Sequence, residues 1–253
     1  MRGTLAIIGI SIVVWMPVLI SAAEWAEERA LGPYLIRSEF ALRDVSELVQ
    51  HLGQLQDDLE LMLGLTCNPQ EIQIHLFRTR SGYIDYVGRR IPEGTKRQAL
   101  FVQGTDAGRV YAYRHRGLET DVRHETTHAL LHTALPYVPI WLDEGLAEYF
   151  ESPPGLREKH SPHHAELQRA IRQGWKPGIE QLEAKREMLN MDAKDYRDAW
   201  GVIHFILHGP SAARESLAAY FEEIHSGRAP TPLSQHLRQR IPNLNQKIID
   251  HLK

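Results

Sequence analysis

The sequence predicts an α+β protein that has a small sheet near its N-terminal end and a helical C-terminal lobe. Three observations predict this class. Apolar residues recur at helical spacing over residues 44–63. Polar and apolar residues then alternate over residues 71–77, and two further short strand patterns follow before residue 115. From residue 118 onwards the apolar spacing is helical in almost every segment.

The length and composition favour one domain made of two lobes. The chain has 253 residues, of which 43% are hydrophobic and 24% are charged, so it can bury a substantial core. We predict a single domain over residues 24–253, with an α/β lobe over 24–135 and a helical lobe over 136–253. The net charge of -3 provides no basic excess, and therefore no nucleic-acid partner is expected.

The first 23 residues have the pattern of a secretory signal peptide. Arg2 supplies the positive charge, and residues 5–20 form an apolar run. Small residues at 21–23 provide a cleavage site before Glu24. The run has 16 residues, which is short against the roughly 20 that a membrane-spanning helix needs. A signal peptide over 1–23 predicts an exported protein, secreted or periplasmic; an uncleaved segment would instead anchor it to a membrane.

The elements of the first lobe follow from periodicity. Residues 44–63 predict an amphipathic helix, which Gly64 ends. Residues 71–77 predict a strand with one buried face, on which His75 is expected to be half exposed. Residues 78–97 predict a short helix followed by a loop. Two more strands, over 100–103 and 110–113, are joined by a segment with hairpin chemistry, Gly104-Thr105-Asp106-Ala107-Gly108.

A helix that begins near Leu118 carries the motif His124-Glu125-Thr126-Thr127-His128. Residues four apart lie on the same helix face, so both imidazoles can bind one metal ion. Glu125 lies about 100° further round the helix, where it can take a proton from a metal-activated water. The motif occurs by chance about 0.06 times in a chain of this composition, and a solvated face with two histidines is the alternative. His132 is too far along the helix to be a third ligand and is expected beside the ligands or at the surface.

A second helix, over residues 140–150, carries two carboxylates on one face. Glu144 and Glu148 are four residues apart in a segment that is otherwise mostly apolar. Carboxylates in such surroundings need a cation or a hydrogen-bond partner. The alternative is a solvated acidic edge.

The stretch from Trp141 to Tyr149, which reads W-L-D-E-G-L-A-E-Y, resembles the W-L-x-E-G-x-A-x-Y segment of gluzincin metalloproteases. The short connection after the first motif resembles the smaller peptidase MA-like family of zinc hydrolases. The resemblance covers residues 33–225 in element order and 121–151 at the level of motifs. It implies a zincin-like fold, one Zn²⁺ ion and a peptide or protein substrate.

The same resemblance implies roles for individual residues. Glu144 corresponds to the third zinc ligand, beside His124 and His128, and Glu148 to the carboxylate that orients His124. Asp143 is a further candidate for a carboxylate next to the ligands. Fifteen residues separate His128 from Glu144, whereas better-known relatives have 18 or 19 at this point. Nineteen residues separate His128 from Glu148, which is therefore the rival third ligand. In many zinc proteases an edge strand beside the metal pairs with the substrate, and here residues 109–115 are the candidate.

The helical lobe is expected to supply a donor for the oxyanion that develops during hydrolysis. Gluzincins use a Tyr or a His for this purpose, and Tyr196 is the candidate, with His204 as the second choice. The alternative for Tyr196 is a core aromatic residue. Helical patterns in this lobe cover the following segments: 165–172, 179–188, 195–207, 211–224, 233–237 and 244–252.

These observations predict an exported zinc-dependent hydrolase, most simply a peptidase with Glu125 as general base. Two alternatives stay open: a metal-binding module without catalytic turnover, and a membrane-anchored surface protein. A metal-independent hydrolase is disfavoured because the chain has no G-x-S-x-G motif and its one cysteine, Cys67, has no evident base beside it.

Overall fold

The computed structural model describes residues 25–68, 70–158 and 161–253. The predicted signal peptide lies outside the described residues. Within them, no helix combines the length and the apolar character that crossing a membrane requires. The predicted α+β class is confirmed, because a mixed sheet in the first half of the chain is followed by helices.

Five strands form one sheet in the spatial order β1-β2-β3-β5-β4. β1 and β2 are antiparallel, β3 runs parallel to both β2 and β5, and β4 is antiparallel to β5. The strands are β1 (Glu27–Leu31), β2 (Tyr34–Ser38), β3 (Ile72–Phe77), β4 (Ala99–Gln103) and β5 (Gly108–Tyr113).

Ten α-helices accompany the sheet in the described residues. They are α1 (Ser46–Leu63), α2 (Arg80–Gly88), α3 (Leu118–Ala134), α4 (Ile140–Phe150), α5 (Pro162–Arg172), α6 (Ile179–Glu183), α7 (Ala193–His208), α8 (Ser211–His225), α9 (Leu233–Arg240) and α10 (Leu244–Leu252). The predicted helix over 44–63 corresponds to α1 and a preceding 3₁₀ turn. Gly64 ends it in the left-handed conformation, with its N–H donating to the Glu60 carbonyl.

Two strands were not predicted. β1 and β2 are five residues each, and the sequence of β1, Glu-Glu-Arg-Ala-Leu, has no alternation because this edge strand is largely exposed. Gly32, at a φ of 55°, allows the tight turn that pairs them.

The expectation that His75 is half exposed was wrong, since 2% of its surface is accessible. β3 lies at the centre of the sheet, and both of its faces are covered. One face packs on the main core, and the other packs in an aromatic cluster in which the Trp25 ring stacks on His75 at 5.3 Å and the Tyr111 ring lies 5.0 Å away.

The prediction that residues 109–115 form the edge strand beside the site was also wrong. β5 lies between β3 and β4, so its backbone groups are paired on both sides. At this end of the sheet the outermost strand is its hairpin partner β4, and both strands of the hairpin contact α3. β4 therefore has a free edge close to α3, the helix that carries the His124–His128 motif.

Candidate metal centre

Helices α3 and α4 bring two imidazoles and one carboxylate together. His124 and His128 lie one turn apart on α3, and their ring centroids are 4.9 Å apart. Glu144, on α4, points its Oε2 at both rings, 3.5 Å from Nε2 of His124 and 3.8 Å from Nε2 of His128. Glu144 and His128 are buried, with 3% and 7% of their surfaces accessible.

The two separations from Glu144 are close to those of a tetrahedral zinc site. Ligand atoms at about 2.0–2.1 Å from an ion, at tetrahedral angles, are about 3.3 Å from one another. The observed separations from Glu144 are close to that value. Two imidazole nitrogens and one carboxylate oxygen are also a donor set that catalytic zinc sites use. These three residues could therefore hold a metal ion, and a His-His-Glu group is what the gluzincin resemblance implied.

The close approach of α4 to α7 requires a glycine beside Glu144. A Cβ atom on Gly145 would lie 3.0 Å from Ile203 Cγ1 and 3.1 Å from Ala199 Cβ, both on α7. Those distances are shorter than ordinary van der Waals contact. The glycine of the Trp-Leu-Asp-Glu-Gly segment thus lets α4 pack directly on α7, with Trp141 and Leu142 buried in the core.

Glu151, which follows α4, is the carboxylate that contacts His124 at Nδ1, on the opposite side of the ring from Glu144. Its Oε2 lies 3.0 Å from Nδ1 of His124. The buried guanidinium of Arg123 donates to the backbone carbonyl of Glu151 and so holds this residue in place. A hydrogen bond at Nδ1 orients the ring and directs its Nε2 towards Glu144.

The expectation that Glu148 makes this contact was not met. The Glu148 carboxylate lies 2.7 Å from Nε2 of His163, at the start of α5. His124, Glu148 and Glu151 nonetheless offer ligand atoms within 4.8 Å of one another, so Glu148 belongs to the same charged cluster. As a rival third ligand it is less well placed than Glu144, which faces both imidazoles.

Asp143 lies behind the second imidazole. Its Oδ1 is 2.9 Å from Nδ1 of His128, and its Oδ2 is 3.2 Å from Nε2 of His132. Asp143 therefore occupies the position relative to His128 that Glu151 occupies relative to His124. His132, expected beside the ligands or at the surface, is half buried against this carboxylate.

The electrostatics of the site favour positive charge at its centre. Burial opposes protonation of His124, but hydrogen bonds to Glu144 and Glu151 raise its pKa well above the ordinary value. Burial likewise opposes protonation of His128, and the charge of Asp143 raises its pKa. Burial would raise the pKa of Asp143, yet His128 and His132 hold that pKa far below its usual range. A cation held by His124, His128 and Glu144 would supply the positive charge that these protons otherwise supply next to the buried carboxylates.

Glu125 lines a cavity of about 380 Å³ together with His124, and Ala99, the first residue of β4, also lines it. The backbone N–H of Phe101, on β4, donates to Glu125 Oε2 at 2.7 Å. This bond fixes one carboxylate oxygen and leaves the other available to accept a proton.

Tyr196 and His204, the predicted oxyanion donors, are placed differently by α7. Tyr196 is half buried in the first turn, where burial and the charges of Glu144 and Glu148 raise the pKa of its hydroxyl to about 12. His204 is buried and uses both ring nitrogens elsewhere, at 2.9 Å from His251 and 2.9 Å from the Glu158 carbonyl.

Three groups at the site were missed from the sequence: Glu151, His163 and the Phe101 amide. Glu151 had a signal, because positions 144, 148 and 151 follow one helix face. His163 and the amide had none, since their contacts join distant segments. Cys67 is buried, and burial raises the pKa of its thiol to about 11, which does not suit a nucleophile.

Comparison with known proteins gave structural likeness alone. No protein-family model matches the chain, and no curated protein sequence matches it. The solved structures that resemble it include the M1 zinc metallopeptidase from Deinococcus radiodurans, at 16% identity and a TM-score of 0.45. A point mutant of that enzyme gives 16% identity and a TM-score of 0.43. Each match covers 90% of this chain and 51% of the other, so the chain spans about half the length of that enzyme.

Proposed function

We propose that this protein is a zinc-dependent hydrolase that cleaves peptide bonds. One observation carries the proposal: His124, His128 and Glu144 form a group that could hold a metal ion, and the Glu125 carboxylate lines the cavity beside it. A metal site with a purely structural role has no need of a carboxylate base in an open cavity.

Zn²⁺ suits this donor set, and His124, His128 and Glu144 would hold it. When bound, it supplies Lewis acidity, which polarises a carbonyl group and lowers the pKa of water. Glu151 and Asp143 orient the two imidazoles through their Nδ1 atoms.

Two side chains handle the proton and the developing charge. Glu125, with Oε2 fixed by the Phe101 N–H, accepts the proton of the attacking water at its other oxygen. It then returns that proton to the leaving amine. Tyr196 keeps its proton at neutral pH because its pKa is about 12, so its hydroxyl can donate to the oxyanion.

The free edge of β4 provides a way to hold an extended peptide. The Phe101 N–H points towards Glu125 and away from β5, so the backbone of β4 at this point lies at the unpaired edge of the strand. A substrate strand added at such an edge forms backbone hydrogen bonds whatever its side chains are. This arrangement favours a peptide over other amides.

The test is the Glu125→Gln variant in purified protein. We expect the wild type to bind one zinc ion per chain and to cleave members of a peptide library. The variant should keep the zinc and lose about 10²–10⁴-fold in rate, the usual contribution of a general base. Glu47→Gln, an exposed carboxylate on α1, is the matched control and should behave as the wild type. Zinc-free wild-type protein, or full activity in Glu125→Gln, would contradict the proposal.

We also propose that the protein is exported after cleavage before Glu24, on the basis of the pattern over residues 1–23. Mass spectrometry of the protein from its native host tests this. A mature N-terminus at Glu24 is expected, and a chain that retains its first 23 residues would support the anchored alternative.

A further inference from the structure

Arg97 adds a positive charge to the cavity that the proposed general base Glu125 lines. It lies two residues before β4, has extended backbone angles and is exposed. The residue lines the cavity of about 380 Å³ together with His124 and Glu125. Among the described residues that line this cavity, it is the one Lys or Arg.

The carboxylates of the same cavity already have partners. They pair as follows: Glu125 with the Phe101 N–H, Glu148 with His163, Glu151 with His124, and Asp121 with His115. None of them forms an ion pair with Arg97. Within residues 25–68, 70–158 and 161–253, no carboxylate lies within 4.0 Å of its guanidinium.

The contact that Arg97 does make is a weak hydrogen bond that uses one of its N–H donors. Nη2 lies 2.8 Å from the Sδ atom of Met188, and a thioether is a weak acceptor. A guanidinium has five N–H donors in a planar fork that matches a carboxylate. Most N–H donors of Arg97 therefore have no hydrogen-bond acceptor among the described residues, and the other charged groups that line the cavity include four carboxylates.

From this arrangement we propose that Arg97 binds a carboxylate of the peptide substrate and so determines specificity. The inference rests on the proposed function. Arg97 is four residues before Phe101, whose N–H donates to the proposed general base Glu125. Four residues of extended chain span about 13 Å, so the carboxylate lies within about four residues of the bond that is cut. It is either the C-terminal carboxylate of the peptide or the side chain of an Asp or Glu.

The test compares three peptides of the same length that are cleaved at the same bond. One has a free C-terminus, one has a C-terminal amide, and one has an amidated C-terminus and a Glu within four residues of that bond. We expect the wild type to prefer one of the two carboxylate peptides over the amide by about tenfold in kcat/KM, as for a charge-assisted contact. In Arg97→Ala and Arg97→Gln that ratio should fall to about one.

The control is Lys96→Ala, which removes the neighbouring exposed charge outside the cavity and should retain the preference. The peptide that shows the preference identifies which carboxylate is bound. Equal kcat/KM values for all three peptides in the wild type, or a preference that survives in both Arg97 variants, would overturn the inference.

A binding measurement separates this inference from the proposed function. Dissociation constants of the same fluorescent peptides are measured with zinc-loaded Glu125→Gln protein, with and without Arg97→Ala. Any direct contact between zinc and the peptide carboxylate is present in both proteins. The difference between their dissociation constants therefore measures the effect of Arg97. If no peptide is hydrolysed by the wild type, the proposed function fails, yet an Arg97-dependent preference in Kd still supports the carboxylate site. Equal Kd values with and without Arg97 overturn it.

Discussion

Replacing Glu151 by Gln tests which carboxylate orients the first imidazole. The change keeps the shape of the side chain and removes its charge. Nδ1 of His124 lies 3.0 Å from Glu151, and the two side chains are 17% and 19% accessible, so solvent screens the contact little. A charge-assisted hydrogen bond of this kind contributes about 1.5–3 kcal/mol. Loss of such an outer partner weakens metal binding about 10- to 100-fold. We therefore expect zinc affinity to fall within that range.

The matched control is Glu148→Gln, which removes the same charge from the same cluster. Because Glu148 hydrogen-bonds His163, its loss should weaken zinc binding by no more than about threefold, through charge alone. Zinc affinity is measured at pH 7 by competition with a chromophoric chelator, and thermal unfolding confirms that both variants are folded. A larger loss in Glu148→Gln than in Glu151→Gln would refute this description of the site.

Three further predictions concern stability and reactivity. Gly145→Ala should destabilise the protein by about 1–2 kcal/mol in urea unfolding, because the added Cβ would lie too close to Ala199. Gly53→Ala is the control: its Cβ would lie 3.7 Å from the nearest atom, on Leu31, and the change should stabilise the protein by about 0.5–1 kcal/mol. Burial lowers the pKa of His75 to about 3, while the unfolded chain binds this proton near pH 6.5. The contribution of His75 to the free energy of unfolding is therefore present well above pH 6.5 and should fall by about 1–2 kcal/mol between pH 7 and 5. This part of the pH dependence should be absent in His75→Phe, which unfolding experiments at the two pH values measure. Cys67, with a thiol pKa of about 11, should react with an alkylating reagent at least about 100-fold more slowly in the folded than in the unfolded protein, as followed by mass spectrometry.

The features that the sequence predicted depend on residues close together in the chain. A repeat of three or four residues determines which side chains share a helix face. For that reason the helices over 118–134 and 140–150 and the pair His124 and His128 could be predicted from local pattern. Local pattern also placed Glu144 and Glu148 on one helix face, and the preference for Glu144 came from the resemblance to gluzincins. The α+β class follows from the same periodicities.

The features that only the tertiary structure decided depend on how separate elements pack. The rotation of α4 against α3 and α7 determines that Glu151 contacts His124 while Glu148 turns to His163. Strand order, which no local pattern encodes, places β4 at the free edge. Packing on both faces of the sheet buries His75, which alternation alone predicted to be half exposed. Local spacing acts over a few residues, whereas these contacts join segments far apart in the chain, and their geometry is determined by the burial of the whole core.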